Sequence, residues 1–296
     1  MDRKPLRLAI LEGERVLTAA GIPSARAEAE MLAAHLLGVE RTKLMMFPLV
    51  DQSVVDSLER LVQQRATRVP LQHLTGAAAL GRVTLAVGPG VFVPRPETEQ
   101  LLEWGLNRLR GLRNPVVVDL CAGAGGLALA LAHERPDAEV LAVDNDPTAL
   151  SWARDNAERR RLAGDVPVHV LEGDVTDPGL LAERERGVDL LVCNPPYVPE
   201  GTPVPPEVGD HDPPAAVFAG RDGLRVLRHV VAHAARLLSP GGGIAVEHDD
   251  THGGSVPALL AARSELTDAE AHNDLAGRPR FATARRDPAG DPTRSG

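Results

Sequence analysis

The sequence predicts an α/β protein: a doubly wound, mostly parallel sheet closed by an antiparallel hairpin, with a small helical bundle ahead of it. Three observations predict it. From Pro115 onward, short apolar runs alternate with helix-period segments, which is the pattern of successive βαβ units. A loop of small residues, Cys121-Ala122-Gly123-Ala124-Gly125, joins the first of those runs to a helix. Upstream, apolar residues recur at helical rather than strand spacing. The chain has 296 residues, enough for one large domain or two smaller ones. Hydrophobic residues make up 43% and aromatics only 2%, so the core must be built mostly of Ala, Leu and Val.

Taken in order, Leu6, Ile10, Leu11, Val16 and Leu17 mark a first helix. Ser24 is placed to cap a second, which runs through Ala29, Leu32, Ala33, Leu36 and Leu37 and ends at Gly38. A third covers about 52–66, with Val54, Val55, Leu58, Leu61 and Val62 on its apolar side. Residues 1–69 thus read as a helical bundle, either a docking module or a cap on the next domain. Glycines then punctuate short runs such as Val83-Thr84-Leu85-Ala86-Val87, so 70–93 reads as a β-hairpin linker. Pro96 opens a helix through Trp104 and Leu109. The second domain, 94–286, carries strands at 116–120, 139–143, 167–171, 188–193 and 243–248. Its helices fall at 125–134, 147–160, 222–238 and 254–264. Strands at about 268–272 and 280–285 form the closing hairpin. Residues 287–296 are polar and rich in Pro and Gly, and read as a disordered tail.

Composition narrows the function classes. The net charge of −9 argues against a protein built to grip a nucleic-acid backbone. The two cysteines, Cys121 and Cys193, make a disulfide framework improbable and point to the cytoplasm. No run is long enough to span a membrane. His73, His211 and His248 lack metal-ligand spacing, so no metal is expected.

The chemistry-bearing residues stand at successive strand ends. Gly123 and Gly125 let a ligand approach the backbone, and Asp144, about twenty residues on, is placed to hold two ribose hydroxyls. A dinucleotide is one candidate, but the loop lacks the later glycine of G-x-G-x-x-G. S-adenosylmethionine is the other: the Asp119 carboxylate suits its amino group, and Asp174 suits the adenine N6 amine with the Val175 backbone beside the ring. After the run 188–193 comes Asn194-Pro195-Pro196-Tyr197. Two prolines end the strand and leave a rigid turn. Its groups match a planar NH2 beside a π system. The Asn194 side-chain oxygen and the Pro195 carbonyl each accept one N–H, while Tyr197 lies against the plane. Together these features argue for a class I S-adenosylmethionine-dependent methyltransferase.

Over nearly its whole length the chain then resembles the bacterial release-factor glutamine methyltransferases, which modify the GGQ glutamine of class 1 peptide-chain release factors. The resemblance rests on Leu71-Gln72-His73-Leu74-Thr75-Gly76, Pro94-Arg95-Pro96-Glu97-Thr98-Glu99, Asn194 through Tyr197, Ala219-Gly220-Arg221-Asp222-Gly223-Leu224, Glu247-His248 and Asp274 through Arg280. It implies that Cys121, Ala122, Gly123, Ala124, Gly125, Asp144 and Val175 line S-adenosylmethionine, that Asn194, Pro195, Pro196 and Tyr197 hold the glutamine, and that Arg95 and Glu97 sit near the site. Two departures stand out. Cys121-Ala122 replaces a common Gly-Thr, and Asp249 replaces a common glycine. The competing functions are a glutamine methyltransferase acting on a ribosomal protein, an adenine-N6 nucleic-acid methyltransferase, and an idle S-adenosylmethionine-binding or translation-scaffold protein. The acidic chain lacks the basic recognition region that base extrusion requires. A monomer that meets a release factor, with no membrane and no direct nucleic-acid contact, is the expected state.

Overall fold

The structure, a computed structural model, describes residues 3–288; most of the expected tail lies outside them. The chain forms two compact units. The first runs up to Ala77 and also takes in Pro205–His211; the second comprises Ala78–Val204 and the chain from Asp212 on.

The first unit holds helices α1 (Leu6–Ala19), α2 (Ala25–Leu37), α3 (Gln52–Ala66) and the short α4 (Leu71–Thr75). The apolar faces read from spacing meet in one core around Leu17, Ala29, Leu32, Leu58 and Val62. Gly38 closes α2 in the left-handed conformation, as expected. The Ser24 cap is a correction: its side chain caps nothing, and only its backbone carbonyl bonds Glu28. Two three-residue strands, β1 (Arg3–Pro5) and β2 (Leu49–Asp51), pair antiparallel ahead of α1 and α3. They are too short to carry a readable period.

In the second unit, β3 (Ala77–Leu80) and β4 (Val83–Ala86) form the expected hairpin. By its packing the hairpin belongs to this unit's core, where Leu80, Val83 and Leu85 are buried. α5 (Glu99–Arg108) follows a 3-10 turn at Pro96–Thr98. Then come β5 (Val116–Leu120), α6 (Gly126–Glu134), β6 (Glu139–Asp144), α7 (Pro147–Leu162), β7 (Val168–Glu172) and β8 (Val188–Cys193). The chain continues through the short α8 (Pro206–Gly209, in the first unit) and α9 (Pro214–Val217). It ends with α10 (Arg225–Leu237), β9 (Leu238–Glu247), α11 (Ser255–Ala261), β10 (Leu266–Asn273) and β11 (Pro279–Arg286). The seven-stranded sheet has the order β10-β11-β9-β8-β5-β6-β7. β9, β8, β5, β6 and β7 run parallel, while β11 and β10 are antiparallel.

Both faces of the central strands β5, β6 and β8 are buried, which is why they read as continuous apolar runs. Val117, Val140 and Val192 pack on one side with α5, α6 and the hairpin. Val118, Leu141 and Leu191 pack on the other with α10 and α11. No helix among the described residues is long and apolar enough to cross a membrane.

Candidate active site

Strand order decides where a ligand goes. From β5 the chain winds outward to β6 and β7, then returns to place β8 on the other side of β5. The crevice at the carboxyl ends of β5 and β8 is therefore the topological switch point, where ligands of open α/β sheets bind. The loop after β5, Asp144 at the end of β6, Asp174 after β7 and Asn194 after β8 all stand along that edge.

The loop is held from beneath. Asp144 Oδ2 accepts the Gly123 N–H at 2.8 Å and its Oδ1 accepts the Asp146 N–H at 3.0 Å. The Ala122 N–H donates to the Val143 carbonyl at 3.0 Å. Gly123 and Gly125 take φ of 56° and 85°, and a Cβ on Gly123 would meet no atom within 4 Å, so the space before the loop is open. Cys121 takes φ of 58° with a side chain, a strained choice at a place where glycine is free. The Asp144 carboxylate and the lack of a basic side chain in the loop suit a cationic ligand.

Asp119, expected beside a ligand amino group, is 1% exposed, and its Oδ2 accepts the Ala128 N–H at 3.1 Å, so it braces the start of α6 beneath the loop. Burial pushes its carboxyl up to about 8; the Ala128 N–H works against that and the neighbouring Asp144 charge adds to it. Burial likewise raises Asp144. Asp174 is exposed, and its Oδ1 accepts both the N–H and the hydroxyl of Thr176 at 2.8 Å, which hold the carboxyl below its usual range. Val175 is buried, and its carbonyl accepts the Nε2–H of His233 at 2.9 Å. Arg236 donates to the other ring nitrogen of His233, which fixes that tautomer.

At the Asn194–Tyr197 turn, Asn194 is half-buried and its Nδ2 donates to Thr98 Oγ1 at 3.3 Å. The Thr98 hydroxyl donates to Glu247 Oε2 at 2.8 Å, and the Tyr197 hydroxyl donates to Glu247 Oε1 at 2.9 Å. Glu247, 1% exposed at the end of β9, thus joins the turn to the residues before α5. Burial pushes its carboxyl up, while the two hydroxyls and the charge of Arg280 pull it down. Burial and the Glu247 charge raise the Tyr197 phenol well above its ordinary range, so Tyr197 stays neutral. Cys193 lies beneath the turn, fully buried, and burial likewise raises its thiol, as befits a core residue. Beyond the turn, Val198 bridges to Phe218, and Gly223 (φ 69°) packs so closely that a Cβ there would come within 2.3 Å of the Tyr197 carbonyl.

Arg95 and Glu97 lie apart in role. Arg95 Nη2 donates to Asp212 Oδ2 at 2.7 Å, and its guanidinium lies 5.0 Å from the Phe92 ring centre, so it braces the loop beyond the turn. The half-buried Glu97 lends its charge to Arg280, as do Glu247 and Asp274. Asp249, where the resemblance puts a glycine, keeps ordinary φ of −62° and accepts from Thr251 at 3.0 Å, so the change needs no glycine.

Comparison with known proteins follows the same lines. Residues 9–76 match the PrmC N-terminal domain and residues 84–205 the methyltransferase small domain. A release factor glutamine methyltransferase of Mycolicibacterium smegmatis is 52% identical, covering 95% of this chain and 98% of its own length. The chain belongs to the release factor glutamine methyltransferase family. A family member from Mycobacterium tuberculosis is 47% identical, covering 95% of this chain and 91% of its own. Among solved structures, the T. thermophilus 16S rRNA N2 G1207 methyltransferase in complex with AdoMet and guanosine has a TM-score of 0.51 at 25% identity. It covers 71% of this chain and 49% of that one.

Within this family member, sequence reasoning missed the roles of Thr98, Glu247 and Asn156. Asn156 on α7 is 2% exposed; its Oδ1 accepts the Ala86 N–H at 2.7 Å, and its Nδ2 donates to the carbonyls of Ala86 at 2.9 Å and Ala124 at 3.1 Å. It ties the hairpin to the cofactor-side loop. A lone asparagine in a polar helix carries no local signal of that task. Thr98 and Glu247 did lie inside quoted motifs, but 149 positions separate them, so only the fold pairs them.

Proposed function

We propose that this protein transfers a methyl group from S-adenosylmethionine to the side-chain amide nitrogen of a glutamine in a class 1 peptide-chain release factor, at its GGQ motif. The observation that carries the reading is the Asn194 amide. Its nitrogen donates to Thr98, which leaves its oxygen to serve as an acceptor for a planar NH2. The names of the family's members supply the substrate class.

S-adenosylmethionine, held along Cys121–Gly125, Asp144, Asp174 and Val175, supplies an electrophilic methyl group. A carboxamide nitrogen is a weak nucleophile because its lone pair is delocalised into the carbonyl. Asn194 Oδ1 and the Pro195 carbonyl accept its two hydrogens and direct the lone pair outward, while Pro196 stiffens the turn and Tyr197 covers the amide plane. With S-adenosylmethionine bound there, the held nitrogen would take its methyl group, the S–C bond breaking as the N–C bond forms, and the surplus N–H proton would pass to solvent. Positioning of this kind supplies up to about 7–11 kcal/mol of a barrier. The acidic chain, at net charge −9, favours a protein over a nucleic-acid substrate, and the unpaired cysteines suit the cytoplasm.

Mass spectrometry of the release factor, incubated with S-adenosylmethionine and enzyme, should show one methyl group on the GGQ glutamine. Asn194→Ala should lower turnover at least about 100-fold and leave cofactor affinity within about 3-fold. Near-normal turnover in that variant would sink the reading.

A further inference from the structure

Resting on the glutamine-methylation reading, we infer that Thr98 and Glu247 are positioning residues that act through Asn194: their hydrogen-bond chain has a fixed direction, and that direction decides which end of the Asn194 amide meets the substrate. Both oxygens of Glu247 act as acceptors here. Glu247 takes the one proton of Thr98 on Oε2 and the one proton of Tyr197 on Oε1. The Thr98 oxygen, its proton spent, has only lone pairs left for its third neighbour. Asn194 must therefore turn its NH2 toward Thr98, as it does at 3.3 Å. An inverted amide would set two acceptor oxygens against each other at a site where Thr98 is only 3% exposed and water cannot relieve the clash.

The outward oxygen is what a substrate NH2 needs, because a flipped Asn194 would offer donors to donors. Arg280, on β11, lends Glu247 a positive neighbour that helps keep it an acceptor. The same carboxylate anchors the Tyr197 hydroxyl, so one buried group sets both the acceptor and the ring of the turn. This explains why the threonine before α5 and the glutamate ending β9 come together from distant parts of the chain.

The test is steady-state methylation of a purified release factor by the full chain carrying Thr98→Val, Thr98→Ser or Glu247→Gln, with cofactor affinity from calorimetry and melting curves for each. Thr98→Val keeps the shape and removes the chain. It should lower kcat about 10-fold or more while cofactor affinity stays within about 2-fold. Thr98→Ser, which restores the hydroxyl, should return kcat to within about 3-fold of wild type. Glu247→Gln, which brings a donor into the chain, should lower kcat in the same sense, and it serves if Thr98→Val does not fold. Wild-type kcat in Thr98→Val or Glu247→Gln would overturn the inference, and so would a serine variant as poor as the valine one. A wild-type enzyme that binds cofactor yet methylates no release-factor glutamine would overturn the reading beneath it.

Discussion

Asp119 shows how burial reassigns a residue. At the end of an apolar strand, a carboxylate before a glycine loop reads as a ligand contact. In the fold it is buried under that loop and bonds the first turn of α6. Because its folded carboxyl is pushed from 3.8 up to about 8, the folded state holds a proton over that range that the unfolded chain has lost. Its contribution to stability is therefore full below about pH 4 and is lost as pH rises through about 8. Asp119→Asn, which keeps an oxygen for Ala128, should flatten the fall of melting temperature between about pH 5 and 8. The wild-type slope from this single proton approaches about 1.4 kcal/mol per pH unit. Parallel melting curves for the two proteins would remove Asp119 from that role. Asn194 is the opposite case: the acceptor role proposed for it can be read locally, because two prolines after a strand leave few other uses for an amide at that point.

Elements were the most legible scale. The period of the apolar residues placed α1, α2, α3 and α5 through α7, and the continuous apolar runs placed β5, β6 and β8. A strand buried on both faces has no alternation to misread, and a long helix repeats its face several times. What escaped were pieces held by partners outside their own segment: β1 and β2, the short α8 and α9, the bridge from Val198 to Phe218, and α4, which lies inside the stretch read as a β-hairpin linker. α7 illustrates the limit. Its length was readable, but not that Asn156 makes it the fastener between the hairpin and the loop. Asn156→Ala strips a buried side chain from three backbone groups. It should cost about 2–4 kcal/mol in urea unfolding, since orphaned buried polar groups are expensive. A loss under about 0.5 kcal/mol would mean that these bonds are replaced by others.

At the scale of the molecule, the chain leaves the second unit after Val204 and returns at Asp212. Charge explains the excursion. Glu207 accepts from Arg65 at 2.8 Å and from Arg68 at 2.7 Å, and Arg65 also bonds Glu28 at 2.5 Å. With Arg65 buried, these carboxylates compensate a charge that is costly to strand. Glu207→Ala should lower stability by about 1–3 kcal/mol and expose 205–211 to limited proteolysis. An unchanged cleavage pattern would show that the segment is held by other means. Sequence by itself determined the fold class, the order of the strands along the chain and the rigid Asn-Pro-Pro-Tyr turn that ends β8, because all of these rest on local period and local backbone chemistry. Tertiary structure alone decided that Asp119 braces the loop, that Arg95 is taken up by Asp212, and that Thr98 and Glu247 orient Asn194. Those roles depend on burial and on hydrogen-bond direction between groups far apart in the chain, and neither is written in the neighbours of any one residue.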